Sequence, residues 1–240
     1  MSLDKLKAEV CEANLELNRK GVVLYTWGNV SGIDRERGLV VIKPSGVSYD
    51  EMTPRHMVVV DLDNNVVEGN LRPSSDTKTH TVLYKAFPNV GGVAHTHSRH
   101  AVAWAQARRE IPALGTTHAD YCTGPVPCTA PLSREEVESA YEANTGHCIV
   151  RRFENLDPVS VPMVLVAGHG PFAWGRSPDE AVSHAVILEE VARMATLTHT
   201  IADNPPPLED YVLNYHYQRK HGKNAWYGQG ELPADRKEGR

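Results

Sequence analysis

The run PSSDTKTHTVLYKAFPNVGGVAHTHSRH, Pro73 to His100, sets a helix directly before a strand, with polar groups at the outer end of each. Val82, Leu83 and Ala86 fall at three- and four-residue spacings, which predicts a helix over Thr77 to Phe87, stopped by Pro88. Val90 to Ala94 reads as a short buried strand. Side chains two apart on a strand share a face, so His95 and His97 project together and Thr96 points away. Two neutral imidazoles in that relation can hold a divalent ion. Two strand-end histidines, each satisfied by a hydrogen bond, are the plainer alternative.

Ser74, Ser75 and Asp76 stand just before the helix. Such residues are ordinary N-caps. The same position leaves free backbone N–H groups at the positive helix end, which suits a phosphate. Asp76, in the first turn, can also offer a carboxylate to a metal. One helix and one strand can thus bring a phosphate cradle, a carboxylate and two imidazoles to a common point.

Upstream, Leu6, Val10, Ala13 and Leu17 predict an amphipathic helix over Leu3 to Lys20, closed by Gly21. Val22 to Thr26 and Trp27 to Ser31 read as extended segments around a Gly28-Asn29 turn, either a plain hairpin or a backbone that approaches a ligand. Leu39 to Ile42 is a strand running into Lys43-Pro44-Ser45-Gly46, a loop with a cation, a hydroxyl and a glycine. It suits an anion as well as it suits a solvated turn. Met57 to Asp61 and Val66 to Glu68 predict a hairpin.

Downstream, Arg99 to Arg108 predicts a helix capped by Ser98, and Asp120 reads as a surface turn residue or an acid/base group. Ser133 and Glu136 form a capping-box pair for a helix to Asn144, closed by Gly146. Met163 to Ala167 is an apolar strand ending in Gly168-His169-Gly170, where a glycine-flanked histidine can supply a third imidazole or simply face solvent. Ser177-Pro178-Asp179-Glu180 opens the longest helix, to about Ala202. A last helix, Leu208 to His221, carries His216, and Tyr227 follows. Helices interspersed with hairpin-like strands predict an α/β or α+β domain with a largely antiparallel sheet.

At 240 residues the chain suits one large domain. A net charge of −5 argues against a general nucleic-acid or membrane-surface role. Cys11, Cys122, Cys128 and Cys148 form no C-x-x-C pair, so a reducing cytoplasm is the simplest setting. No secretory leader or membrane-spanning run is expected, and residues 230–240 read as a loose polar tail beyond a catalytic domain of residues 1–229. Imidazoles at His95, His97 and His169, with Asp76, suit zinc or another first-row divalent metal. Anion loops nearby point to a phosphorylated small molecule. Such a metal polarises a ketone, which is aldol chemistry, and a separate acid/base must move the hydroxyl proton.

TWGNVSG at 26–32, IKPSGV at 42–47, RPSSDTKTH at 72–80, HTH at 95–97, GTTHADY at 115–121, GHGPFAWG at 168–175 and RKHG with YGQ near the C-terminus resemble the class II aldolase/adducin family. The likeness runs from about Leu3 to Gln229. It implies a three-layer α/β/α domain with a central, mainly antiparallel sheet, assembled as a homotetramer with active sites between subunits. It implies that His95, His97, His169 and Asp76 hold Zn²⁺. Gly28, Asn29, Lys43, Ser45, Gly46, Ser74 and Ser75 would surround the substrate phosphate. Asp120 and Tyr227 would be the acid/base pair reaching in from a neighbouring subunit, with His216 beside them. Within the family the motifs resemble members that epimerise a phosphorylated ketopentose at C4 by cleaving and re-forming the C3–C4 bond, as in arabinose or ascorbate breakdown. The family's aldolases carry Glu as base where this chain has Asp76. A dehydratase and a non-enzymatic adducin-like module are the other readings.

Overall fold

A computed structural model describes residues 2–223 and 225. Helix α1 (Leu3–Arg19) opens the chain, with Ser2 accepting at its N-terminus and Gly21 at φ +70° beyond its end. Strands β1 (Asn29–Asp34) and β2 (Leu39–Ile42) form a hairpin, followed by β3 (Val58–Asp61) and the short β4 (Val66–Glu68). Helix α2 (Thr77–Ala86) leads to β5 (Gly92–His95), and helices α3 (Arg99–Gln106), α4 (Thr116–Ala119) and α5 (Arg134–Arg152) come next. Strands β6 (Met163–Val166) and β7 (Gly170–Gly175) pair before the long α6 (Pro178–Ile201) and α7 (Asp210–His221).

The seven strands lie in the order β4-β3-β2-β1-β5-β7-β6, and every named pairing is antiparallel. The two faces can be read from neighbouring residues of β1. Ser31 points to His80 and Tyr84 of α2, whereas Gly32 faces Leu6 of α1 and Pro178 of α6. Helices α1, α3 and α6 pack together on one face; α2 and α5 pack together on the other. This is the predicted three-layer α/β/α arrangement with an antiparallel sheet. Its core is aliphatic and aromatic, with Val30, Val41, Val58, Val93, Leu165 and Phe172 all shut from solvent. Among the described residues no helix is long and apolar enough to cross a membrane.

The expected helices and strands are found, with differences that have physical causes. Val22 to Thr26 forms no strand. Tyr25 at φ +53° and Gly28 at φ +74° turn the backbone twice, and the Tyr49 hydroxyl bonds the carbonyls of Trp27 and Gly28. Helix α2 buries His80, Leu83 and Tyr84 rather than Ala86, because it is pressed between the sheet and α5. Ser98 makes no cap bond to α3. The Glu189 carboxylate on α6 accepts instead from the N–H groups of His100 and Ala101.

Gly146 does not close α5, which runs on to Arg152. It is a contact point: a Cβ there would stand 2.8 Å from Val82 Cβ, so its absence lets α2 and α5 approach. Asp120 is no surface turn residue but lies 8% exposed against α7.

Candidate active site

The C-terminal end of β5 delivers His95, and His97 follows two residues on. The tight turn after β6, with Gly168 at φ +72°, delivers His169. Their three ring centroids lie 4.8–5.2 Å apart, and one ligand nitrogen from each falls within 4.8 Å of the others. His95 Nδ1 is 2.9 Å from the Pro171 carbonyl oxygen. A carbonyl only accepts, so Nδ1 carries the proton and Nε2 keeps its lone pair. His97 Nε2 stands 3.0 Å from that lone pair. So close an approach of two imidazole nitrogens needs a proton or a cation between them. Burial, then His95, pushes His169 down to about 4 and holds His97 below the usual histidine range. His97 and His169 are therefore held neutral and able to ligate at neutral pH, and the three-imidazole donor set fits a first-row divalent metal.

Asp76 lines the same cavity but is not part of the histidine group. Its Oδ2 accepts from Asn29 Nδ2 at 2.6 Å. Burial alone would raise its carboxyl; His95, His80 and the Asn29 amide outweigh burial and hold it below the ordinary value.

The other end of the cavity is built from three loops. Gly28 and Asn29 lead into β1, Lys43, Ser45 and Gly46 leave β2, and Ser74 and Ser75 precede α2; all seven line the cavity. Backbone bonds tie the last two loops together, Ser74 N to Lys43 O at 3.0 Å and Ser45 N to Arg72 O at 2.9 Å. Asn29 Nδ2 also donates to Ser74 Oγ at 3.1 Å, while its Oδ1 is buried with no partner among the described residues. A side chain at Gly28 would meet Val23 at 2.6 Å and the His95 carbonyl at 2.9 Å, so this loop sits directly on β5. Asn29 pairs with His95 across the β1–β5 ladder. The cavity is an open cleft of about 560 Å³, wide enough for a small phosphorylated sugar.

The family described as Class II Aldolase and Adducin N-terminal domain matches residues 8–196. The chain belongs to the class II aldolase/adducin family. Two relatives named L-ribulose-5-phosphate 4-epimerase UlaF, from Salmonella paratyphi A (strain ATCC 9150 / SARB42) and Salmonella typhi, are each 57% identical over 227 residues, covering 95% of this chain and 100% of the relative. An L-fuculose 1-phosphate aldolase structure superposes with a TM-score of 0.76 at 26% identity, over 90% of this chain and 95% of that one. These findings bear out the resemblance read from the motifs.

In this class II aldolase/adducin chain, Asp120 and His216 lie together but do not line the cavity. Arg219 grips both carboxylate oxygens of Asp120, at 2.8 and 2.9 Å, His216 Nδ1 is 3.1 Å from Oδ1, and Lys220 Nζ is 3.3 Å from Oδ2. Burial works against ionisation of Asp120, but the bonds from Arg219, His216 and Lys220 prevail and hold the carboxyl below its usual range. Tyr227 and the tail at residues 230–240 lie outside the described residues.

Two residues that the sequence reading passed over, Tyr141 and Glu142, also line this class II aldolase/adducin cavity. They fall inside a helix that looks like an amphipathic surface element. The available signal was Asn144-Thr145-Gly146, residues that bond backbone or allow close packing and mark an irregular helix.

Proposed function

We propose that the chain is an L-ribulose-5-phosphate 4-epimerase, interconverting L-ribulose 5-phosphate and D-xylulose 5-phosphate by breaking and re-forming the C3–C4 bond. One observation carries the reading: a single cavity with hydroxyl, amide and ammonium donors at one end and three imidazoles at the other. The printed name of relatives 57% identical over their whole length selects the reaction.

Zn²⁺ or another first-row divalent ion, held by His95, His97 and His169 with Asp76 at hand, would supply Lewis-acid polarisation of the ketose oxygens. Lys43, Ser45, Ser74, Ser75 and Asn29 bind the phosphate, and Gly28 and Gly46 let backbone come close to it. With the sugar held at both ends, proton movement falls to Asp120 and Tyr227. One accepts the C4 hydroxyl proton as the C3–C4 bond breaks. The other protonates the C4 oxygen once the bond has re-formed on the opposite face of the aldehyde. Arg219 keeps Asp120 ionised, the form needed to accept a proton, and His216 orients beside it.

Asp120 and His216 stand away from the cavity of their own chain, which supports a homotetramer in which each site is completed by a neighbouring copy. The four cysteines are unpaired, in keeping with a cytoplasmic setting.

Proton and carbon NMR of L-ribulose 5-phosphate with zinc-loaded protein tests the reading. D-xylulose 5-phosphate is expected to accumulate without free fragments. Build-up of dihydroxyacetone phosphate and glycolaldehyde would make the protein an aldolase, and an unchanged spectrum would overturn the assignment outright.

A further inference from the structure

Helix α5 is broken at Ala140, whose φ of −159° and ψ of 68° are not helical. Neither glycine nor proline stands at the break, and side chains hold it instead. Asn144 Nδ2 donates to the Glu136 carbonyl at 2.8 Å. Thr145 Oγ1 donates to the Tyr141 carbonyl at 2.8 Å, and Thr79 Oγ1 from α2 donates to the Glu142 carbonyl at 2.6 Å. Backbone groups at the interruption are thus received by built partners on both sides, and the break is a fixed feature of the fold.

Its consequence is the placement of Tyr141. The phenol ring is tilted 34° to the His169 ring with centroids 5.9 Å apart, and its Oη is 3.3 Å from His169 Nδ1. His95 already has the Pro171 carbonyl on its Nδ1. At His169 the corresponding partner is this hydroxyl. A phenol can donate or accept, and the two choices have opposite effects on the ring. Donation to Nδ1 would leave the proton on Nε2 and occupy both ring nitrogens, so neither could ligate. Acceptance from Nδ1–H leaves Nε2 free.

We propose that Tyr141 is the positioning residue of the third imidazole: its oxygen accepts from His169 Nδ1–H and holds the ring with the Nε2 lone pair turned toward His95 and His97. The proposal rests on the metal reading of the site. The hydroxyl hydrogen is then left to point into the cavity, as a donor to a ligand oxygen. His169 stands on a glycine-flanked turn rather than within a strand, so a side-chain partner replaces the constraint that the sheet gives His95.

The test is Zn²⁺ affinity, measured by competition with a chromophoric chelator on chelator-stripped protein, for wild type, Tyr141→Phe and Tyr141→Leu. Loss of a hydrogen-bond partner of a ligating histidine typically weakens metal binding roughly 10–100-fold, and that is the effect expected for Tyr141→Phe. The melting temperature of the stripped Phe variant should match that of stripped wild type, because the ring remains and Tyr141 is 37% exposed. Tyr141→Leu should lose no more than Tyr141→Phe if the oxygen is the whole effect. A Phe variant holding Zn²⁺ within about twofold of wild type overturns the role of the hydroxyl while leaving the metal site standing. Wild-type protein that takes up no stoichiometric Zn²⁺ overturns the metal reading and this proposal together.

Discussion

Lys43 carries an ammonium group to a position where only 2% of the residue meets solvent. It is received by the carbonyl oxygens of Thr26 and Pro44, at 3.1 and 3.4 Å, and by the face of Tyr49. Burial pushes its pKa down from 10.5 to about 8. A bound phosphate dianion favours the charged form, so binding above pH 8 must draw in a proton. KM for the sugar phosphate should therefore rise above about pH 8, approaching tenfold per pH unit, while Lys43→Met gives a high KM that is flat in the same range. The folded-state pKa lies below the unfolded one, so between pH 8 and 10.5 the unfolded chain holds more protons at this residue. Lys43 thus makes stability rise with pH across that window. A KM independent of pH up to 9.5 would remove Lys43 from the phosphate site. The candidate role of this residue was legible because lysine, serine and glycine follow a strand in one short loop. Its burial was not, because that depends on Tyr49 and the loop carrying Trp27, which fold over it from elsewhere in the chain.

At the level of elements, the two helices facing α1 and α6 across the sheet are locked by one missing side chain. Gly146 lets the Val82 side chain and the Thr79 carbonyl of α2 sit against α5, the carbonyl 3.1 Å from where a Cβ would be. Gly146→Ala should cost about 1–3 kcal/mol by overpacking, read as an earlier urea midpoint with unchanged slope. A neutral or stabilising effect, as alanine gives in an open helix, would mean that the helices separate freely. Sequence spacing found the start of α5, because the Ser133–Glu136 capping box is local. It misplaced the end, because a glycine after a polar run looks the same whether it stops a helix or makes room for another. The Ala140 break escaped for a similar reason: its bonding partners include Thr79 on a different helix. Local signals also placed β2, β3, β4 and β6 well, since each is bounded by turn residues. The Glu189 cap on α3, 88 and 89 residues from the N–H groups it receives, had no local signature.

For the whole molecule, the separation of Asp120 from the cavity of its own chain decides how activity should behave in mixtures. Asp120→Asn and His97→Asn proteins should each be nearly inactive alone. Subunits exchanged between them should regain about a quarter of wild-type activity, because a random half of cavities and a random half of carboxylates are intact across each interface. No recovery after proven exchange would place Asp120 in the site of its own chain. The antiparallel layout was legible from hairpin spacing, and the motifs around Gly28, Lys43, Ser74, His95 and His169 meet in one cavity, whereas those carrying Asp120 and His216 do not line it. The sheet also has a mechanical consequence. His95, Asn29 and Lys43 stand at the ends of β5, β1 and β2, three adjacent strands, and Asn29 pairs with His95 in register. The strand ends that carry His95 and Lys43 are therefore two strand spacings apart, roughly 10 Å, a separation set by the hydrogen-bond lattice of the sheet. On the proposed reading the sheet acts as a caliper, its strand spacing gauging the length of what lies between an anion and a chelating oxygen.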